Sequence, residues 1–128
     1  LPLILDECMD SVSSIMRAYS DRSMDVINLK IGRMGGLTKS KFIRDFCVSV
    51  GISMTIEDTW GSQIADAAIA QLALSTSNEF HFQSSAFHEY TTISTATGGV
   101  KIQDGYMLCG DTPGLGIEPN FDVLGTPI

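Results

Sequence analysis

The feature that most constrains the fold is a regular alternation of short apolar runs with amphipathic segments through the first 84 residues. Four apolar runs of strand length occupy residues 3–5, 26–31, 52–56 and 80–83. Three segments with helical periodicity separate them, at residues 11–22, 38–50 and 62–75. Because strands that alternate with helices through short connections form parallel sheets, the sequence predicts an α/β fold of parallel β/α units.

Composition and charge exclude several classes of protein. The chain has 128 residues, enough for one sizeable core, and its net charge of −7 argues against a nucleic-acid or anionic-membrane partner. No apolar run reaches the length of a membrane span. The three cysteines form no C-x-x-C pair, so we expect a cytoplasmic protein without a disulfide framework. The opening LPLIL, without Met, leads us to expect a piece of a longer protein.

The pattern changes after about residue 86, where glycine and threonine become frequent and periodicity fades. Residues 100–102 and 106–109 flank the turn pair Asp104-Gly105, which predicts a hairpin. The tail PGLGIEPNFDVLGTPI is predicted to be ordered but irregular.

Polar residues follow the predicted strands at their carboxyl ends, the edge where β/α enzymes gather their active sites. They are Asp6, Glu7, Lys30, Glu57, Asp58, Gln83 and Ser84. Strand alternation puts Asn28 and Lys30 on one face and Ile27 and Leu29 on the other. By the same alternation, Asp58 shares a face with Met54 and Ile56. Because such polar groups recur at the carboxyl ends of all four predicted strands, they favour an active site at this edge.

Each residue alone has an ordinary structural explanation. A strand-end Asp can cap the next helix, a strand-end Lys can form a salt bridge, and Glu57-Asp58 can begin a helix. We expect His81 to be packed or hydrogen-bonded and His88 to lie in a loop. The turn that contains Gly32, Gly35 and Gly36 matches neither a P-loop nor a dinucleotide-binding fingerprint. We therefore interpret these glycines as a sharp strand-to-helix turn at positive φ.

The stretches LILDE, NLKIGRMGGL, IEDTWGSQIADAAIAQLA and DGYMLCGDTPGLGIE, in this order, resemble the C-terminal half of an enolase-superfamily enzyme of the mandelate racemase/muconate lactonizing group. The EDTWG run is most similar to the hydroxyproline dehydratase and proline betaine epimerase branch. The resemblance implies a modified TIM barrel with a capping domain. Residues 1–85 would supply barrel strands five to eight, and residues 86–128 would return toward the capping domain.

The resemblance also implies site residues. Asp6 would be a Mg²⁺ ligand with Glu7 in its outer coordination shell. Lys30 would be a catalytic base or acid, and Asp58 a catalytic residue that contacts and orients the substrate. Asn28, Glu57 and Trp60 complete the expected substrate-binding residues. Two further metal ligands and an opposing lysine would belong to the N-terminal half of the barrel. This half and most of the capping domain are expected to lie outside this chain.

The implied chemistry is Mg²⁺-assisted removal of the α-proton from a small carboxylate, as in a racemase, epimerase or dehydratase of amino- or imino-acid derivatives. Mg²⁺ and burial are expected to lower the pKa of Lys30. The full-length protein is expected to be a homo-oligomer. Two alternatives stay open: a non-catalytic half-barrel that serves as a fragment or assembly subunit, and a β/α binding protein without catalysis.

Overall fold

The computed structural model describes residues 1–126, in which the largest element is a sheet of four parallel strands. The strands lie side by side in chain order: β1 (Ile4–Leu5), β2 (Val26–Lys30), β3 (Ser53–Glu57) and β4 (His81–Ser84). The connecting helices are α1 (Val12–Ser20), α2 (Ile31–Met34), α3 (Leu37–Ser49) and α4 (Gln63–Leu74). The predicted parallel β/α fold is therefore confirmed, with each strand and main helix displaced by at most two residues at either end.

One face of this sheet packs under the helices and forms the core. The strand residues Ile27, Leu29, Met54 and Ile56 are fully enclosed, and they meet helix residues Ile15, Ile43, Cys47 and Ile69. Burying each side chain of this size contributes about 1.5–3 kcal/mol. Since alternate residues of a strand point to opposite faces, this packing directs Asn28, Lys30 and Thr55 to the other face.

The glycine turn after β2 differs from the expected single sharp bend. The one-turn helix α2 follows Lys30 directly, and Gly35 ends it with a φ of 87°. Gly36, with a φ of 102°, is the N-cap residue that precedes α3. Positive φ is thus required at these two glycines. Gly32 does not adopt it, and its lack of a side chain instead admits a carboxylate, since an added Cβ would lie 2.7 Å from Asp58 Oδ1.

Beyond β4 the chain forms short elements that pack against α4. A 3-10 helix (Phe87–Tyr90) is followed by β5 (Ala96–Gly98), which pairs antiparallel with β8 (Ile117–Pro119). Strands β6 (Lys101–Gln103) and β7 (Tyr106–Leu108) form the predicted hairpin. The expectation of an irregular tail is wrong for β8 and the short helix α5 (Phe121–Leu124).

Gln63 joins this return segment to the sheet domain. Its Oε1 atom accepts hydrogen bonds from Thr95 N at 3.0 Å and Thr95 Oγ1 at 2.9 Å. The division at residue 86 stays a prediction, and residues 127 and 128 of the predicted return segment lie outside the described residues. Within residues 1–126, no helix combines the length and apolar character that a membrane crossing requires.

Candidate active site

Lys30 is the centre of the candidate site, at the carboxyl end of β2. Lys30 is only 5% exposed, and its Nζ lies 2.8 Å from Asp6 Oδ1 and 2.7 Å from Glu7 Oε1. The β1–β2 register brings these strand ends together, since Ile4 and Leu5 pair with Val26 and Ile27. A buried ammonium is costly unless it is paired, so the two carboxylates explain how the strand tolerates this lysine.

Arg33, from α2, adds a second cation to this cluster. Its Nη1 donates to the Glu7 backbone carbonyl at 3.0 Å, and its Nη2 pairs with the Glu7 carboxylate. Lys30 and then Arg33, as hydrogen-bond donors, hold the pKa of Glu7 below its usual range. We refer to Asp6, Glu7, Lys30 and Arg33 as the ion-paired group.

The pKa of Lys30 lies above its ordinary value in this chain. Burial lowers it, but the adjacent carboxylates of Asp6 and Glu7 together outweigh burial and raise the pKa above its ordinary value. In this chain Lys30 is therefore held as an ammonium. The physical reason is that two carboxylates lie within 3 Å of the Nζ atom and stabilise its charged form. The lowering expected from Mg²⁺ stays a prediction.

Asp6 has the features of a metal ligand. Its Oδ1 is enclosed and has no hydrogen-bond partner among residues 1–126; the Lys30 ammonium approaches it as an ion pair, outside hydrogen-bond geometry. An enclosed carboxylate oxygen with unused lone pairs suits a hard cation such as Mg²⁺. The described residues contain no cluster of three or more His, Cys, Asp or Glu side chains able to hold a metal.

A second polar group lies beside the first, at the ends of β2, β3 and β4. Glu57 pairs in register with Lys30, and its carboxylate accepts from Asn28 Nδ2 through Oε1 and from Ser85 Oγ, at 2.9 Å, through Oε2. Asn28 Oδ1 and the neighbouring Thr55 Oγ1 are enclosed, and neither has a hydrogen-bond partner within the described chain. We refer to Asn28, Glu57 and Ser85 as the Glu57 group.

Asp58 lies apart from Lys30 and binds backbone. Its Oδ2 accepts from Gly32 N at 2.9 Å and its Oδ1 from Thr59 N at 2.8 Å. Alternation along β3 explains this placement, because residues two positions apart share a face of the sheet. Asp58 shares the face of Ile56, which points to the helices, whereas Glu57 shares the face of Thr55 and Lys30. The structure thus brings Glu57, rather than Asp58, beside Lys30.

Trp60 belongs to an aromatic cluster at the start of the loop after β3. Its ring centroid lies 5.8 Å from that of Phe87 and 6.4 Å from that of Tyr90. The Trp60 residue is 71% exposed. Because Phe87 and Tyr90 lie in the 3-10 helix after β4, the cluster spans two strand-end loops beside the Glu57 group.

Asp66 fixes that 3-10 helix. Its fully buried carboxylate accepts from Phe87 N at 3.0 Å and His88 N at 2.9 Å, and it also pairs with His88 Nδ1. The expectation that His88 lies in a loop is therefore wrong, because His88 belongs to the 3-10 helix and is held by Asp66. His81 is hydrogen-bonded as expected, with Nε2 at 2.8 Å from Ser84 Oγ.

A groove of about 610 Å³ lies elsewhere on the described chain. It runs between β4, α4 and the β6–β7 hairpin, and Leu74, Phe82, Gln83 and Tyr106 are among its lining residues. Neither Lys30 nor Glu57 lines it. A half-barrel leaves its inner face open on one side, so the polar edge forms a surface rather than an enclosed pocket.

Comparison with known proteins identifies the family. The family model described as "Enolase C-terminal domain-like" matches residues 1–123. The chain belongs to the enolase C-terminal domain-like family. Within it, a cis-3-hydroxy-L-proline dehydratase of Roseibium aggregatum is 52% identical over 128 residues, which are 100% of this chain and 35% of that protein.

Solved structures agree with this assignment. A mandelate racemase/muconate lactonizing enzyme from Roseovarius nubinhibens matches with a TM-score of 0.92 and 40% identity, over 99% of this chain and 34% of that one. A second such protein from the same organism, described as complexed with magnesium, matches with a TM-score of 0.92 and 35% identity, over 100% of this chain and 35% of that one. The chain spans about one third of the length of these relatives, and the fold is that of the C-terminal half of their barrel.

Three residues of this edge were not predicted from the sequence: Arg33, Asp66 and Ser85. Asp66 had a visible signal, since it is the only acidic residue in the alanine-rich helix α4. Arg33 lies inside the glycine turn, and its contact with Glu7 joins residues that are 26 positions apart in the sequence. Ser85 gave no signal, because its position beside Glu57 depends on the pairing of β3 with β4.

Proposed function

We propose that the full-length protein containing this chain removes the α-proton of a small imino-acid carboxylate and eliminates its β-hydroxyl, as a dehydratase of the cis-3-hydroxy-L-proline type. The observation that carries the proposal is the buried Lys30 ammonium, 2.8 Å from Asp6 at the carboxyl edge of the sheet. The 52% identity to a protein named as that dehydratase supports the substrate class.

Lys30 is the proposed base or acid for the α-proton. It can accept a proton only when neutral, and pairing with Asp6 and Glu7 opposes that form. Occupation of Asp6 by another cation would remove one of these pairings. Glu7 would remain paired with Arg33, so it acts as a support for the cluster rather than as a direct ligand.

Asp6 is the proposed Mg²⁺ ligand contributed by this chain. Its enclosed Oδ1, which accepts no hydrogen bond in the described chain and contacts the Lys30 ammonium as an ion pair, fits that role. When bound, the cation would stabilise negative charge that develops on the substrate carboxylate. The remaining ligands are proposed to come from the part of the full-length protein outside this chain. The structures of relatives described as magnesium complexes support this cofactor.

Asn28, Glu57 and Trp60 are proposed to contact the rest of the substrate. Asn28 keeps an enclosed carbonyl oxygen free to accept a hydrogen bond. The aromatic cluster around Trp60 offers an apolar wall for a five-membered ring. For Asp58 we propose an indirect role, in which it holds the start of α2 and thereby the position of Arg33.

We further infer a cytoplasmic homo-oligomer as the full-length form. A racemase or epimerase is the second candidate. It is favoured because, in the described chain, Asp6 and Glu7 are the only carboxylates within 4.0 Å of Lys30, and both are its ion-pair partners. Neither is therefore a dedicated acid for the leaving hydroxyl. In that case the α-proton would exchange but the hydroxyl would remain.

The test is α-proton exchange in D₂O by the full-length protein with cis-3-hydroxy-L-proline, followed by NMR. Lys30→Ala should abolish deuterium incorporation and loss of water while the protein remains folded. Lys41→Ala is the matched control, because Lys41 lies on the exposed face of α3 and pairs only with Asp45 in the described chain. Deuterium incorporation by Lys30→Ala at the wild-type rate would contradict the assignment.

A further inference from the structure

The first turn of α4 holds two loops of the carboxyl edge. Because this helix runs antiparallel to the strands, its amino end lies at the edge where β3 and β4 end. Gly61, in the loop after β3, packs so closely against this turn that an added Cβ would collide with the Ala65 side chain. Asp66, the next residue of the turn, accepts from Phe87 N at 3.0 Å and His88 N at 2.9 Å. Both loops are thus fixed to one helical turn.

The Asp66 carboxylate is committed to the 3-10 helix. It is fully buried, and its partners in the described chain are the amides of Phe87 and His88 and the His88 ring. An acid in the first turn of a helix can be stabilised by the free amides of its own helix. Asp66 makes no such hydrogen bond within residues 1–126, because both of its oxygens bind the segment after β4. Since a buried carboxylate is costly without partners, Asp66 and this segment fix each other.

The three rings of the aromatic cluster are not held in place by burial. Trp60 and Tyr90 are exposed, and Phe87 is half-buried. The rings contact one another instead, with centroids 5.8 Å apart for Trp60 and Phe87 and 6.5 Å apart for Phe87 and Tyr90. Exposed aromatic pairs contribute little by themselves. The position of the Trp60 ring therefore depends on the backbone that carries the other two rings.

We propose that Asp66, together with His88, is a positioning residue for substrate binding: it fixes the 3-10 helix and thereby the Trp60 ring. The inference rests on the proposed function, in which the aromatic cluster forms an apolar wall for the substrate ring. Asp66 is fully buried, so it acts through the rings and does not touch the substrate. Lys30 pairs with Asp6 and Glu7 and is independent of this support. We therefore expect an effect on substrate affinity rather than on proton transfer.

Steady-state kinetics of the full-length enzyme with cis-3-hydroxy-L-proline separate these two effects. Asp66→Asn turns an N–H group toward the backbone donors, and should raise KM about tenfold while kcat changes less than about threefold. Competitive inhibition by L-proline, which has the ring without the hydroxyl, should weaken by the same factor. His88→Ala removes one donor and keeps both amides, so it should raise KM only about threefold. A fall in kcat with unchanged KM would overturn the inference, because it would mean only that less enzyme is folded.

A double-mutant cycle tests whether Asp66 acts through Trp60. Trp60→Ala alone should raise KM at least as much as Asp66→Asn does, because it removes the ring that Asp66 positions. In the Trp60→Ala background, Asp66→Asn should then raise KM by less than about twofold more. Independent effects, in which the two increases multiply, would overturn the inference.

Arg44→Met is the matched control, because Arg44 is also buried and holds the chain at the opposite end of α4. Its Nη1 donates to Ser75 O and to Thr76 Oγ1, each at 2.8 Å. This substitution should lower stability in urea denaturation, as Asp66→Asn should, yet leave KM within about twofold of wild type. An equal rise in KM would show that any weakening of α4 impairs binding, and would overturn the inference.

Fluorine NMR tests the position of Trp60 without any turnover. The Trp60 resonance of 5-fluorotryptophan-labelled full-length protein is assigned by its loss in Trp60→Phe. It should move toward the shift of a solvated ring in Asp66→Asn and stay in place in Arg44→Met; an unchanged resonance in Asp66→Asn would overturn the inference. If Asp66→Asn does not fold, His88→Ala replaces it with a smaller expected change. A wild-type enzyme that neither incorporates α-deuterium nor loses water overturns the proposed function instead, and the Trp60 resonance still decides whether Asp66 positions the ring.

Discussion

The two polar groups on the carboxyl edge of the sheet lie side by side but are built differently. In the ion-paired group, Lys30 and Arg33 compensate the carboxylates of Asp6 and Glu7. In the Glu57 group, one carboxylate is held by an amide and a hydroxyl. Because the charges of the ion-paired group compensate each other, another cation can replace Lys30 as the partner of Asp6. In the Glu57 group the carboxylate has uncharged donors as its side-chain partners, and no cationic nitrogen of the described chain pairs with it.

The largest expected effect separates the two groups by metal affinity. Asp6→Asn should weaken Mg²⁺ binding to the full-length protein by at least about 100-fold, because it removes an anionic oxygen ligand. Glu57→Gln should leave Mg²⁺ affinity within about twofold of wild type, since it changes no proposed ligand. Isothermal titration calorimetry with MgCl₂ measures both. Equal weakening by the two substitutions would show that the edge is one electrostatic unit.

The next effect concerns Asp66, which holds the 3-10 helix that follows Ser85 of the Glu57 group. Asp66→Ala leaves the Phe87 and His88 amides and the His88 ring without their buried acceptor, and should lower the free energy of unfolding by about 3 kcal/mol. Urea denaturation of the full-length protein measures this loss. Amide hydrogen exchange at His88 should become faster while exchange in β2 does not. A loss below about 1 kcal/mol would mean that Asp66 is dispensable for this loop.

A smaller effect tests the contact between the loop after β3 and the start of α2. Gly32→Ala places a Cβ 2.7 Å from Asp58 Oδ1 and should cost about 1–2 kcal/mol of stability. In an Asp58→Ala background the same substitution should become neutral or stabilising, because alanine favours helix over glycine. Gly36→Ala is the control, since its φ of 102° and open surroundings predict a cost in both backgrounds. Additive costs for Gly32 and Asp58 would rule out the close contact.

The smallest effect is expected at the exposed end of the ion-paired group. The Glu7 side chain is 67% exposed, and Lys30 keeps Asp6 when Glu7 is neutralised. Glu7→Gln should therefore lower the melting temperature only slightly, and less at high salt, because exposed ion pairs are screened. Differential scanning calorimetry at two salt concentrations measures this. A large loss that salt does not reduce would place Glu7 among the essential supports of Lys30.

The sequence alone was sufficient for the parallel β/α fold and for the side of the sheet on which the site lies. Alternation of apolar and polar residues predicts each strand and helix locally, and it assigns Asn28 and Lys30 to one face without any tertiary contact. The strand ends then bring Asp6 and Lys30 to one edge, because parallel strands share their carboxyl ends.

Tertiary structure decided which acid after β3 faces Lys30. Adjacent residues of a strand point to opposite faces, and only the register of β3 against β2 pairs Glu57 with Lys30 and sends Asp58 to the start of α2. Ser85 meets Glu57 across 28 residues, and His88 meets Asp66 across 22. Local periodicity carries no information about such contacts, because they arise when distant segments pack. The sequence by itself therefore determined the elements and the edge, and packing determined the partners.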